Sequence, residues 1–242
     1  MSDNLKKDSF WVGGKFTVQE IIKNSRRKIL QIAIHEKNKN FLNEFQNKKI
    51  PIKIVNDNFF NKLFNKDLDI HQGWAIEILP ILPLDLHTKL KSLNSRSLFL
   101  ILDGINDARN IGSIIRSSAA LGCDAIIIDK KNYNPKSNMM FRSASGMTEV
   151  VDVISVTNIN NAIQILKKNN FWIYGMDAKA STDIRSINFE PKIAFVFGSE
   201  TNGIKHLVQK NCDKIIKIKI KDKAESLNIS NAVSIALALA NK

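Results

Sequence analysis

The chain has 242 residues, 44% of them hydrophobic, with 36 Lys+Arg against 23 Asp+Glu and a formal net charge of +13. That length holds one large or two small domains with a real core. The charged start through Phe10 has no apolar h-region, and no run of about 18 apolar residues follows, so neither a signal peptide nor a membrane span is read and a cytoplasmic location is expected. Cys123 and Cys212 have no CxxC spacing, and His35, His71, His87 and His206 are scattered, so reduced thiols and no metal site are expected. The positive excess favours polyanion partners, because each neutralised phosphate releases counterions; a Lys-, Ile- and Asn-rich genome would give the same excess. It is shared along the chain: residues 1–80 hold 14 Lys+Arg against 9 Asp+Glu, and residues 81–242 hold 22 against 14.

In chain order, Phe16 to Asn24 reads as a helix with Val18, Ile21 and Ile22 on one face. Ile29 to Ile34 reads as a strand, and Arg26-Arg27-Lys28 before it is a candidate phosphate contact. Asn38 to Gln46 reads as a second helix carrying Phe41, Leu42 and Phe45, Ile52 to Val55 as a strand, Asn58 to Leu63 as a short helix, and Gly73 to Ile78 as another strand. This alternation predicts a small α/β domain over residues 1–79. Residues 80–96 contain Pro80 and Pro83, then Lys89, Lys91, Asn94, Ser95 and Arg96; they predict a linker with little to bury.

Residues 97–242 predict a larger α/β domain. Strands are read at 98–103, 124–128, 150–154, 171–176, 192–197 and 215–220, and helices at about 111–121, 158–168, 203–210 and 227–240. Near-continuous apolar runs such as Ala125-Ile-Ile-Ile128 and Ile193-Ala-Phe-Val-Phe197 suit a parallel sheet covered on both faces.

Three strand-to-helix turns stand out, since open α/β sheets place ligands at such turns. In the first, Asp103-Gly104 ends a strand, Asn110 is positioned to cap the next helix, and Ile114, Ile115 and Ala119 face the sheet. Arg116 lies on that helix, and its planar fork suits a phosphate, although a helical Arg is more often a solvated residue. In the second, Gly198-Ser-Glu-Thr-Asn-Gly203, glycines allow close backbone approach; Glu200 is a site residue or a cap of the helix that follows. It is no P-loop, because no Lys-Ser/Thr follows. In the third, Ser226-Leu-Asn-Ile-Ser230 opens the last helix, with Ser226 and Asn228 as site residues or N-caps.

Taken in this order, Asn110, Gly112 and Arg116, then Gly198, Ser199, Glu200 and Gly203, then Ser226, Leu227, Asn228, Ser230 and Ala232 resemble the three signature motifs of the SpoU (TrmH) family of RNA 2′-O-ribose methyltransferases, within the SPOUT class. The resemblance covers about residues 98–240. Val12-Gly13 and His71-Gln72-Gly73 give the leading segment a weaker resemblance to the ribosomal-protein L30e-like substrate domain of the 23S rRNA guanosine methyltransferase branch. The resemblance implies a parallel sheet with a C-terminal trefoil knot, which no periodicity reveals. It implies S-adenosyl-L-methionine at Gly198, Ile218 and Leu227, with Glu200, Ser226 and Asn228 beside them. It assigns catalysis to Arg116, with Asn110, Glu200, Ser226 and Asn228 positioning ribose, cofactor and Arg116. One departure is Ile218-Lys-Ile-Lys-Asp222, where the family has Ile-Pro-Met and a glycine; Lys219 and Lys221 add charge near the cofactor.

The implied activity is S-adenosylmethionine-dependent 2′-O-methylation of a guanosine in 23S rRNA. The alternatives are a tRNA 2′-O-methyltransferase and a catalytically weak RNA-binding ribosome-assembly protein. Because guanidinium stays protonated, Arg116 is read as orienting the phosphate and stabilising the forming alkoxide rather than as a base. The last helix is ringed by Ile229, Ala232, Val233, Ile235, Ala236, Leu237, Ala238, Leu239 and Ala240, so it must be buried on most sides, and a homodimer packed through it is expected.

Overall fold

The computed structural model describes residues 8–45, 50–65, 71–221 and 226–241. Backbone proximity divides the chain into two units: residues 1–82 with 135–149, and residues 83–134 with 150–242.

The first unit is built on a four-stranded sheet of β1 (Phe10–Gly13), β2 (Ile29–His35), β3 (Ile52–Val55) and β4 (Trp74–Ile78), in the order β1-β4-β2-β3. β4 runs antiparallel to both neighbours, and β2 and β3 pair in parallel. The short β1 escapes a periodicity reading because only four residues, Phe-Trp-Val-Gly, carry it. Helix α1 (Lys15–Lys23) buries Thr17, Val18, Ile21 and Ile22, the stripe its spacing predicts. Helix α2 spans Asp57–Phe64 and turns Phe60 and Phe64 into a core with Ala33 and Ala75. Between β2 and β3 the expected α-helix is a 3₁₀ segment, Glu36–Phe45. The Asn38 side chain is drawn away from this segment, donating to the carbonyls of Gln72 at 3.2 Å and Gly73 at 3.3 Å, and Asn is a weak helix former. Gln46 lies outside the described residues.

Residues 135–149 cluster with this unit although they interrupt the second in sequence. They contribute α5, Asn138–Ala144, capped by Ser137 through Met140 N. Glu149 is buried and grips Arg27, with Nη2 to Oε1 at 2.5 Å and Nε to Oε2 at 3.1 Å, while Asn24 donates to Oε2 at 2.7 Å. Arg27 is therefore not the phosphate contact that the Arg26-Arg27-Lys28 run suggests; Arg26 and Lys28 remain exposed.

The second unit is a seven-stranded sheet of β5 (Ser97–Asp103), β6 (Ala125–Asp129), β7 (Asp152–Val156), β8 (Trp172–Met176), β9 (Thr182–Asp183), β10 (Lys192–Gly198) and β11 (Lys214–Lys217). The order is β7-β6-β5-β10-β8-β11-β9, and each pair is parallel. All residues of β5 and β6 are buried, as expected of strands covered on both faces. The helices are α3 (Leu86–Leu90), α4 (Ala108–Ala120), α6 (Ile159–Lys168), α7 (His206–Lys210) and α8 (Ile229–Ala240). α3 lies inside the segment read as having little to bury. Asp85 caps it by accepting from Thr88 N, and Leu86 is buried with Phe99 and Ile101 while Leu84, Leu90 and Leu93 pack against them. The leucines between the polar residues therefore anchor this segment.

Two boundaries differ instructively from the sequence reading. The helix expected from 203 starts at His206, because Gly203 sits at φ +63° in a turn closed by Gly203 N to Ser199 O at 2.8 Å. β11 ends at Lys217 rather than 220, where its pairing with β9 stops at Asp183. In register, Gly198 lies beside Asp103 and Phe197 beside Met176. The ends of β5, β10 and β8 are thus side by side, and the turns that leave them share one end of the sheet.

Candidate active site

The first turn is capped by Asp107, not Asn110. The Asp107 carboxylate accepts from Arg109 N at 2.7 Å and Asn110 N at 3.1 Å. Asp107 has the extended backbone of a cap residue, which puts Asn110 in the first turn of α4 with its side chain available elsewhere. α4 buries Ile111, Gly112, Ile114, Ile115 and Ser118, while Ala119 is half-buried. Arg116 lies on the exposed side and makes no hydrogen bond or ion pair among the described residues.

The second turn doubles back tightly on itself. A Cβ on Gly198 would stand 1.9 Å from the Gly203 carbonyl carbon and 2.1 Å from Ile204 N, so only glycine fits. Asp103, at the end of β5, is buried; its Oδ2 accepts from Lys205 N at 2.8 Å and its Oδ1 from Lys205 Nζ at 2.7 Å. Glu200 does not cap α7. Its Oε1 reaches the start of the last helix instead, accepting from Ile229 N at 3.2 Å and from Asn228 Nδ2 at 3.2 Å.

Asn228 joins all three turns. Its Oδ1 caps α8 through Ser230 N at 3.0 Å, and its Nδ2 donates to Glu200 and to Asn110 Oδ1 at 3.2 Å. The cap reading of Asn228 therefore holds for its amide oxygen, while its amide nitrogen ties the first and second turns to the third.

Beside this junction lies a cleft of about 230 Å³ lined by Met176, Asp177, Ala178, Phe197, Gly198, Ser199, Glu200, Gly203, Ile218, Ile220, Ser226, Leu227, Ile229 and Ala232. Gly198, Glu200, Ile218, Ser226 and Leu227 thus meet in one place. Asn110 and Asn228 are tied to it through Glu200, whereas Arg116 stands apart, further along α4. In the altered loop Ile218 and Ile220 line the cleft while Lys219 and Lys221 are exposed. Both charges are thus off the cleft wall despite the missing Pro and Gly. Asp222 lies outside the described residues.

Sequence reasoning passed over Asp107, Lys205 and Asp177. Asp107 carried a signal, since Asp directly before a helix is a strong cap. Asp177 follows an apolar strand as Asp103 does, but without a neighbouring glycine it resembles any loop residue. Among the described residues no group of three or more His, Cys, Asp or Glu side chains could hold a metal ion, and no helix is long and apolar enough to cross a membrane. Burial pushes the thiols of Cys123 and Cys212 up to about 12, so neither is a nucleophile at neutral pH.

Residues 97–238 match the SpoU rRNA Methylase family. The chain belongs to this family. Residues 11–81 match a second family described as RNA 2'-O ribose methyltransferase substrate binding. The chain is 38% identical over 170 residues to a Staphylococcus aureus protein assigned to the TrmH family of tRNA/rRNA methyltransferases, covering 69% of this chain and 68% of that one. It is 28% identical over 241 residues to the 23S rRNA (guanosine-2'-O-)-methyltransferase RlmB of Xylella fastidiosa, covering 96% of each. Its fold is that of the SpoU methyltransferase AviRb from Streptomyces viridochromogenes, solved in complex with AdoMet: the TM-score is 0.84 at 18% identity, over 98% of this chain and 90% of that one.

Proposed function

We propose that this family member methylates the ribose 2′-oxygen of a guanosine in 23S rRNA, with S-adenosyl-L-methionine as methyl donor. The observation that carries the choice of RNA is the match to the Xylella enzyme over 96% of both chains, which includes the leading substrate-binding unit. The positive charge of both halves of the sequence suits a phosphate backbone.

The cleft fits the cofactor chemically. Met176, Ile218, Ile220, Leu227 and Ile229 give flat apolar walls for an adenine, and Gly198 and Gly203 bring backbone close. Gly198, Ile218 and Leu227 would hold the nucleoside, with Glu200, Ser226 and Asn228 at the polar end. When bound, the cofactor supplies an electrophilic methyl group on a sulfonium.

The remaining work falls to the chain. The 2′-oxygen must be aligned, and charge builds on it as its proton leaves. Arg116 is exposed and uncommitted among the described residues, as a group that waits for RNA must be. Its fixed positive charge orients the neighbouring phosphate and stabilises the forming alkoxide. Asn110, held by Asn228, and Glu200, held by α8, keep the ribose edge of the site rigid. The trefoil knot belongs to this proposal, on the strength of the SpoU family match over residues 97–238. So does the homodimer: Leu237 is already buried within its own chain, but Ile235 on the same helix is 37% exposed and Ala238 is exposed.

Mapping 2′-O-methyl groups in rRNA and tRNA from cells with and without this protein tests the assignment. One 23S rRNA guanosine should lose its methyl group in the deletion strain; loss confined to a tRNA would overturn it.

A further inference from the structure

Asp177 is the first residue after β8, and it lines the cleft between Met176 and Ala178. Its backbone is fixed at both ends: its N–H donates to Ile216 O at 3.0 Å, and its carbonyl accepts from Ala180 N at 3.0 Å. One carboxylate oxygen, Oδ1, accepts from Lys179 N at 2.8 Å. The other, Oδ2, has no hydrogen-bond or ion-pair partner among the described residues. The neighbouring Glu200 differs, since its Oε1 is committed to Asn228 and Ile229 N. Ser199 Oγ is committed as well, accepting from Asn202 N at 3.2 Å.

The sheet order decides what Asp177 faces. β10 lies between β5 and β8. Asn110 and Arg116 belong to α4, which follows β5, whereas Asp177 follows β8, on the opposite side of β10. A methyl group bound for RNA must lie on the α4 side. The sulfonium and the amino-acid half of a bound donor would go with it, leaving the nucleoside half to the β8 side, where Ile218 and Ile220 line the cleft. A carboxylate oxygen there meets the hydroxyl donors of a ribose, for which an acidic side chain at a strand end is a good acceptor.

We propose that Asp177 is a cofactor-specificity residue that accepts a hydrogen bond from the ribose hydroxyls of the nucleoside half of the cofactor. The assignment rests on the cofactor reading above. It predicts that Asp177 recognises the nucleoside and is indifferent to the methyl group and the sulfonium charge.

Isothermal titration calorimetry on the full chain tests it with S-adenosylmethionine, S-adenosylhomocysteine and 2′,3′-dideoxy S-adenosylhomocysteine. Asp177→Ala should weaken the first two by the same factor, about tenfold, as expected when a hydroxyl loses its built acceptor. The dideoxy compound should bind the unaltered chain about tenfold more weakly than S-adenosylhomocysteine, and Asp177→Ala should show no such gap. Asp177→Leu, which is close in size and can neither accept nor donate a hydrogen bond, gives the same comparison if the alanine variant melts early. Unchanged affinities, a loss confined to S-adenosylmethionine, or a dideoxy gap that persists in the variants each overturn the assignment. No binding of any nucleoside by the unaltered chain removes the cofactor reading and the assignment together. Binding by the unaltered chain with an indifferent Asp177→Ala removes the assignment alone.

Discussion

The side-chain amide of Asn228 donates to the side-chain oxygen of Asn110 at 3.2 Å, across 118 positions of sequence. One residue thereby caps the last helix with its oxygen and fastens the first turn with its nitrogen. Asn228→Ala removes both functions and should cost about 1 kcal/mol of stability, the usual value of a lost cap. Asn228→Asp keeps the capping oxygen but sets a second carboxylate against Glu200 and the Asn110 oxygen. Methyl transfer should fall at least tenfold in both variants. Thermal melts alongside single-turnover methyl transfer check this; full activity in the aspartate variant would show that the link to Asn110 is dispensable.

Arg116 makes no bond within its own chain among the described residues, so its removal has nothing to break. Arg116→Ala should melt within about 0.5 kcal/mol of the unaltered chain, as surface substitutions do, and bind cofactor with the same affinity. Its methyl-transfer rate should drop at least a hundredfold. Arg116→Lys should recover little, because a point charge does not reproduce the planar fork. Near-normal turnover in either variant would defeat the assigned role.

The two glycines of the second turn should respond very differently to alanine. At Gly198 the new Cβ meets backbone atoms of Gly203 and Ile204 at 1.9–2.1 Å, so the cleft wall itself must move. Gly198→Ala should abolish cofactor binding and destabilise by about 1–3 kcal/mol, the range for forced overpacking. At Gly203 a Cβ would meet nothing within 4 Å, and only the left-handed backbone at φ +63° resists it. Gly203→Ala should therefore cost about 1 kcal/mol and leave measurable cofactor affinity. Calorimetry on both variants decides; equal losses would contradict the geometry.

The sheet was legible because its strands are long apolar runs, which burial on both faces demands; β5, β6 and β10 lie within a residue or two of their expected limits. Convergence of Gly198, Glu200, Ser226 and Leu227 was legible only through the order of the motifs, since no local pattern ties residues so far apart. What escaped was set by tertiary contact. Cap selection at Asp107 depended on which of several polar residues adopted an extended backbone. The fate of Arg27 depended on Glu149, a residue of a later segment that periodicity places with another unit. Asp177 had no sequence signal, because its meaning comes from lying beside β10.

The two thiols predict a pH response. Burial lifts Cys123 and Cys212 from an ordinary value of 9.0 to about 12. Between those values the unfolded chain gives up protons that the folded chain keeps, so stability is fully present below pH 9 and falls as pH rises toward 12. Near pH 10 each thiol should contribute a loss of about 1 kcal/mol. Urea unfolding at about pH 7.5 and about pH 10, on either side of the ordinary thiol range, checks this against Cys123→Ala/Cys212→Ala. The double variant, less stable at neutral pH, should lose less between the two pH values; an identical loss would show that other groups set the alkaline limit.

Helix α8 gives the test of assembly. Its apolar ring suggested burial on most sides, and Val233, Ala236 and Leu237 are already covered within the chain, where α8 packs on α4. Leu237→Asp would place a charge at a position that is 0% exposed and would disrupt the fold before it reported on any partner. Ile235 is the discriminating position, exposed on the same helix and close in sequence to the Ser234–Ser117 contact, Oγ to Oγ at 2.8 Å, that joins α8 to α4. Ile235→Asp should lower the melting temperature of a single chain far less than Leu237→Asp, because Ile235 is already 37% exposed whereas Leu237 is 0% exposed. If α8 pairs with a second copy, the variant should sediment at the monomer mass of 27.3 kDa while the unaltered chain sediments at twice that. Methyl transfer should fall with dimerisation if the second copy helps to hold the RNA. A monomeric unaltered chain with full activity at micromolar concentration would overturn the dimer.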